Sequence, residues 1–182
     1  MKKLFTIIIS LVVLSSCTTT KEARSSHSEV KKEKKLAEQS IVKSAVETRR
    51  YIIKFEKLYF SYGRITELIP RANYLIVDGE KAIINTAYLG RQYDFKPIAA
   101  INMRGRSEGY ALTDNLSKGS YRVKMKVTNG PNASFDVYLD ISKNGYCTVS
   151  VSSLKIDNIR YSGYLVPIPG ATNTSIEAGD KI

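Results

Sequence analysis

The sequence has one histidine, two cysteines and no tryptophan in 182 residues, and no apolar run of the about 20 residues that a membrane-spanning helix needs. Each shortage removes a class of function. His27 stands among Ser25, Ser26 and Ser28, a polar stretch around which neither a metal site nor a Ser-His-Asp grouping can readily be built. No metal and no cofactor are therefore expected. Cys17 falls at a processing signal, which leaves Cys147 without a partner in the chain and rules out an intrachain disulfide framework. No internal repeat is present.

What the chain does have is an informative start. Lys2 and Lys3 form a positive region, and Leu4 to Leu14 is apolar except for Thr6 and Ser10, the pattern of a signal peptide rather than of a spanning helix. Ser15 and Ser16 then precede Cys17. Leu14-Ser15-Ser16-Cys17 resembles the bacterial lipobox, in which an aliphatic residue and two small ones leave room for lipid transfer to the thiol. That resemblance implies cleavage before Cys17 and acylation of it, palmitate being one such acyl group, against the alternatives of a cleaved secretory signal or a buried apolar helix in which the cysteine is incidental. Several acyl chains hold a protein stably on a membrane, whereas one does so only marginally. Thr18, Thr19 and Thr20 follow, with no aspartate next to the cysteine. By resemblance to known sorting patterns this favours the outer membrane and a domain facing the periplasm, with export to the cell surface as the alternative.

Loss of residues 1–16 leaves 166 residues and lowers the net charge from +11 to +9. That length suits one domain with a sizeable core. Basic chains usually meet nucleic acid, anionic lipid or acidic polymer, and a periplasmic location removes nucleic acid. The expected partners are the membrane, through the lipid anchor, and an envelope protein or anionic ligand.

Residues 17–28 read as a lipidated, flexible tether. Residues 29–50 read as a helix, with Leu36, Ala37, Ile41, Val42, Ala45 and Val46 forming one apolar stripe and Ser28 as its N-cap. The run Lys31-Lys32-Glu33-Lys34-Lys35 reads as a solvated face more readily than as a headgroup contact. Residues 51–168 read as a β-rich domain and 169–182 as a tail. Tyr51 to Tyr59 is the first strand, Ile65 to Ile69 is ambiguous, and Asp78-Gly79-Glu80-Lys81 is the turn of a hairpin. From Asp94 to Lys118 the pattern is irregular, with short strands expected at Ile98 to Met103 and Gly109 to Leu112. Tyr121 to Val127 and Phe135 to Ile141 alternate cleanly. A loop of Gly130, Pro131 and Asn132 sets Lys126 opposite Asp136 and Arg122 opposite Asp140. A three-residue loop, Lys143-Asn144-Gly145 with Gly145 left-handed, keeps Cys147, Val149 and Val151 on the inner face. A last strand runs from about Asn158 to Val166.

The order helix, strands, Ala87-Tyr88-Leu89-Gly90-Arg91, the Asn144-Gly145 hairpin and Ile159-Arg160-Tyr161-Ser162-Gly163 resembles the lipoprotein family called domain of unknown function 4251. Its members carry a Tyr-aromatic-Gly-Arg segment and a later Tyr-x-Gly, and here Leu89 replaces the aromatic. The resemblance covers Val46 to Pro167, implies an outer-envelope lipoprotein, and supplies no functional residue.

The fold expected is mainly β: an antiparallel β-meander of roughly seven to nine strands, as a twisted sheet or partly closed barrel, with one N-terminal helix. A flatter α+β sheet with the helix across one face is the alternative. Cys147, facing inward on an alternating strand, points to a small core residue rather than a nucleophile. Tyr88, Arg91, Tyr93, Arg104, Arg106 and Tyr110 mix charged forks with aromatic faces near the irregular segment and form the candidate ligand-binding set. The competing reading is packing for the tyrosines and solvation for the arginines. The expected function is that of a lipid-anchored, non-enzymatic envelope module that binds a partner. A lipocalin-like carrier of a small apolar or anionic ligand is the alternative, and it requires an interior pocket near residues such as Tyr121, Phe135 and Tyr161.

Overall fold

The structure, a computed structural model, describes residues 20–60, 63–90, 99–115, 119–131 and 133–169, with side chains from Val30 onward. Helix α1 spans Thr20–Glu47. Among the described residues nine strands follow: β1 Arg50–Tyr59, β2 Ile65–Glu67, β3 Tyr74–Asp78, β4 Lys81–Ala87, β5 Ala100–Asn115, β6 Ser120–Thr128, β7 Ser134–Ser142, β8 Tyr146–Ser153 and β9 Ile156–Pro167. All pairings are antiparallel, in the order β2-β1-β3-β4-β5-β6-β7-β8-β9, and β1 also pairs with β9. Eight strands thus close into a barrel. The extra strand β2 lies on the same edge of β1 as β3, against Lys57 to Tyr59, while β3 takes Arg50 to Lys54. The flatter open sheet is not what forms.

Closure requires staggered strands, and β5 and β9 provide the stagger. The first part of β5 pairs with β4 and the rest with β6, with a bulge between Glu108 and Ala111 at the left-handed Gly109. The two short strands expected here are therefore one strand of 16 residues. The sequence pattern hides it because Gly105 and Ser107 occupy inward positions where a large apolar residue would have marked the alternation. A Cβ on Gly105 would strike the backbone carbonyl of Thr128, so the small residue is what lets β6 approach. At the barrel seam, β1 bulges between Phe55 and Lys57 opposite Gly163, where a side chain would collide with the Lys54 carbonyl.

The hairpins follow the sequence reading. Asp78 pairs with Lys81 across Gly79-Glu80, and Gly79 alone has positive φ, a type II′ arrangement. Lys126 faces Asp136, Arg122 faces Asp140, and Ile141 faces Cys147 with Gly145 at φ 84°. The two ion pairs, at 3.9 and 3.6 Å, are half exposed and fix register more than they add stability.

Inside the barrel, Tyr51, Ile53, Phe55, Leu58, Val123, Ile141, Val149 and Tyr161 are all 0–1% exposed, so no space the size of a water molecule lies against them. The Phe55 and Tyr161 rings stack at 4.7 Å. Among the described residues, every buried side-chain polar atom has a hydrogen-bond partner. Asn73 is typical: its amide donates to the Ile69 carbonyl while its oxygen accepts from the Thr86 hydroxyl and the Ala87 N–H.

Helix α1 begins within the segment expected to be a flexible tether, at Thr20, because Lys21-Glu22-Ala23-Arg24 are themselves good helix formers. It ends three residues earlier than expected, where Arg49 turns left-handed at φ 55° and starts β1. Of its apolar stripe only Val42, Ala45 and Val46 join the barrel core. Leu36 and Ile41 remain exposed. The Tyr110 hydroxyl donates to the Val46 carbonyl at 2.9 Å, a helix-end acceptor that also takes the Arg49 N–H at 3.3 Å. With its hydrogen so committed, Tyr110 accepts from the Tyr51 hydroxyl at 3.3 Å. The last turns of α1 thus cover the end of the barrel at which β1 begins.

Candidate functional site

Of the six residues of the sequence-based binding set, the four described ones, Tyr88, Arg104, Arg106 and Tyr110, do not share one place. Arg91, Tyr93 and the lipidation candidate Cys17 lie outside the described residues. Tyr88 is buried at the barrel end away from α1, where Gly90 presents no side chain against its hydroxyl. Tyr110 sits at the opposite end, under the Arg49 guanidinium at 4.6 Å and hydrogen-bonded to the helix. Arg104 and Arg106 are exposed on the outer face of β5, and Arg106 is paired with Glu80 at 2.8 Å. Tyr88 is part of the core, and Tyr110 is partly buried against it.

Tyr88 and Tyr161, the tyrosines of the family resemblance, are both packed into the core. The Tyr161 hydroxyl donates to the Ala87 carbonyl at 2.9 Å, so the mid-chain and late segments meet at the barrel end. Burial pushes the Tyr161 phenol well above its ordinary value. Burial likewise pushes the Cys147 thiol up to about 12, and its Sγ donates to the Gly145 carbonyl at 3.1 Å. A thiol that keeps its proton at neutral pH and is 0% exposed is not a nucleophile.

The polar and aromatic groups that face solvent converge elsewhere, on the outside of β6, β7, β8, β9 and β1. Directly paired residues share a face of the sheet, and the registers give one row: Lys124, Tyr138, Ser150, Arg160 and Tyr59. Both cations in the row lie over rings, Lys124 Nζ at 5.5 Å from the centre of Tyr138 and the Arg160 guanidinium at 5.4 Å from that of Tyr59. The central residue, Ser150, is small. Beside it a recess of about 500 Å³ is lined by Tyr59, Phe60, Ser150, Asp157, Asn158 and Arg160. The Tyr59 hydroxyl is 3.1 Å from that of Ser162, which draws the Tyr59 phenol below its ordinary value. Tyr146 and Tyr164 extend the aromatic surface, edge to face at 5.4 Å.

A second recess, of about 280 Å³, opens at the barrel end beside Tyr88, Met103, Asn129, Phe135 and Ile156. Its lining joins core residues with the polar Asn102 and Asn129, and Ile84, Val127 and Tyr161, which are 0% exposed, do not border it.

Sequence reasoning missed the row. Lys124 opposite Tyr138 follows from the β6–β7 hairpin register that the charge pairs already set. Tyr59 opposite Arg160 does not, because it depends on the barrel closing and on the bulge in β1.

Comparison with known proteins bears on the fold. No curated protein matches the chain. A crystal structure of a DUF4251 family protein from Bacteroides eggerthii is similar, with a TM-score of 0.60 over 72% of this chain and 88% of that one at 14% identity, a level at which the likeness speaks for the fold alone. The model of the family described as "Domain of unknown function (DUF4251)" matches residues 33–165, from α1 nearly to the end of β9. The chain belongs to the DUF4251 family.

Proposed function

We propose that the protein is a lipid-anchored, non-enzymatic envelope module that binds its partner on the outside of a filled barrel. The observation that carries this reading is the interior. Carriage of a small apolar molecule needs room, and Tyr51, Phe55, Val149 and Tyr161 fill that room with 0% exposure. The order Lys2-Lys3, apolar run, Ser15-Ser16 and Cys17 supports the anchor, and the absence of aspartate after Cys17 supports the outer membrane, periplasmic side. The inert state of Cys147 supports the non-enzymatic part.

Titration with a fluorescent long-chain fatty acid tests the carrier alternative. The filled barrel gives no saturable one-to-one signal. A saturable signal abolished by Val149→Trp, which adds bulk inside, would establish carriage and remove the exterior reading.

A further inference from the structure

We propose that the outer row from Lys124 to Tyr59, with the recess beside Ser150, is a binding site for a short stretch of anionic polysaccharide. This rests on the exterior-binding reading and names its ligand class.

Charge comes first. On this face Arg122 and Lys126 are matched by Asp140 and Asp136. Lys54, Lys57, Lys124 and Arg160 are also exposed here, and among the described residues none has a carboxylate within 4.0 Å. Even with the carboxylate of Asp157, which lines the recess, set against these four cations, the face carries an excess of positive charge, complementary to an anion. Arg160 lies over the Tyr59 ring, so its planar fork is held in place and can take a carboxylate or phosphate in bidentate fashion.

Shape and ring chemistry select the saccharide. Tyr138 is 43% exposed and Tyr164 46%, and the electron-rich faces of such rings attract the weakly positive C–H faces of a pyranose. Between the rings the sheet offers short hydroxyl groups, Thr148 and Ser150 on β8, next to the Asn158 amide, donors and acceptors matched to sugar hydroxyls. From Tyr138 to Tyr59 the row crosses three inter-strand spacings, about 14 Å. That span suits an oligosaccharide better than a single sugar. An acidic peptide would use the charge but leave the exposed rings idle, and a neutral glycan would use the rings but leave the cations idle.

Calorimetry on the full chain in detergent micelles, titrated with hexagalacturonate, maltohexaose and hexaglutamate, tests the assignment. Hexagalacturonate binds saturably and more tightly than either control. Arg160→Ala and Tyr138→Ala each weaken that binding about tenfold, Arg160→Lys does not restore it, and Arg106→Ala on β5 leaves it unchanged. Equal binding of hexaglutamate would reduce the site to general polyanion attraction and overturn the proposal, as would equal binding of maltohexaose. Absence of any binding at millimolar hexagalacturonate would overturn it too, while leaving the exterior reading to the fatty-acid titration.

Discussion

Gly163 and Tyr161 show how single residues hold the barrel shut. Gly163 sits where β9 crosses the bulge of β1, and a methyl group there would press on the Lys54 carbonyl and the Phe55 Cα. Gly163→Ala should therefore lower stability by at least about 1–3 kcal/mol, the usual cost of overpacking. Tyr161→Phe should cost about 1 kcal/mol by leaving the Ala87 carbonyl without its donor. Urea unfolding midpoints check both, and wild-type midpoints in Gly163→Ala would contradict the seam geometry. Cys147 makes a pH prediction. Its thiol rises from 9.0 to about 12 through burial, so the unfolded chain loses this proton before the folded one. Its contribution is whole below about pH 9 and is lost as pH rises toward 12, by about 1.4 kcal/mol per pH unit for one such group. Tyr51 and Tyr161, also raised by burial from 10.0, steepen the loss further up. Urea midpoints from pH 7 to 10.5 should fall above pH 9, and Cys147→Ala should flatten the fall between pH 9 and 10. At this scale the sequence was legible where alternation spoke: the inward place of Cys147 followed from counting through one hairpin. Tyr88 and Tyr110 were not, since a tyrosine in a strand reads alike as packing or as a ligand platform until its hydroxyl partner is known.

Among the elements, α1 and β5 mark what sequence periodicity can and cannot say. The apolar stripe of α1 includes Leu36 and Val46 on equal terms, yet Val46 is 0% exposed and Leu36 56%. Which part of a stripe is covered depends on where the barrel ends, and no local pattern carries that. Val46→Asp should thus cost more than about 3 kcal/mol by burying a carboxylate among apolar groups, while Leu36→Asp should change stability by less than about 0.5 kcal/mol. Chemical denaturation of the two variants separates the claims, and equal losses would contradict the burial assigned to α1. β5 was split in the sequence reading because glycine and serine fill its inward positions where it passes from β4 to β6. The clean alternation of β6, β7 and β8 has no such interruption, which is why their registers were readable to the residue.

For the whole molecule, the step that alternation could not reveal is closure. The β1–β9 pairing joins Tyr51 to Pro167 and Tyr59 to Arg160, residues more than 100 apart in sequence, across a bulge. Closure creates the filled interior and brings Tyr59 beside Arg160, so the same event removes room for a carried ligand and assembles the outer row. The lipid anchor rests on sequence alone, and replacing its acceptor tests it: Cys17→Ser should still be exported yet leave the membrane pellet on a salt wash, since screened charge reaches only about 8 Å at physiological salt. Retention in the washed pellet would contradict lipidation at Cys17. The central claim is a lipid-tethered barrel that holds nothing inside. It is tested most directly by native mass spectrometry of the protein extracted from its own envelope. The account predicts a chain beginning at Cys17, carrying covalent acyl groups and no stoichiometric small molecule. A noncovalently bound apolar molecule at one per chain, released on unfolding, would contradict it.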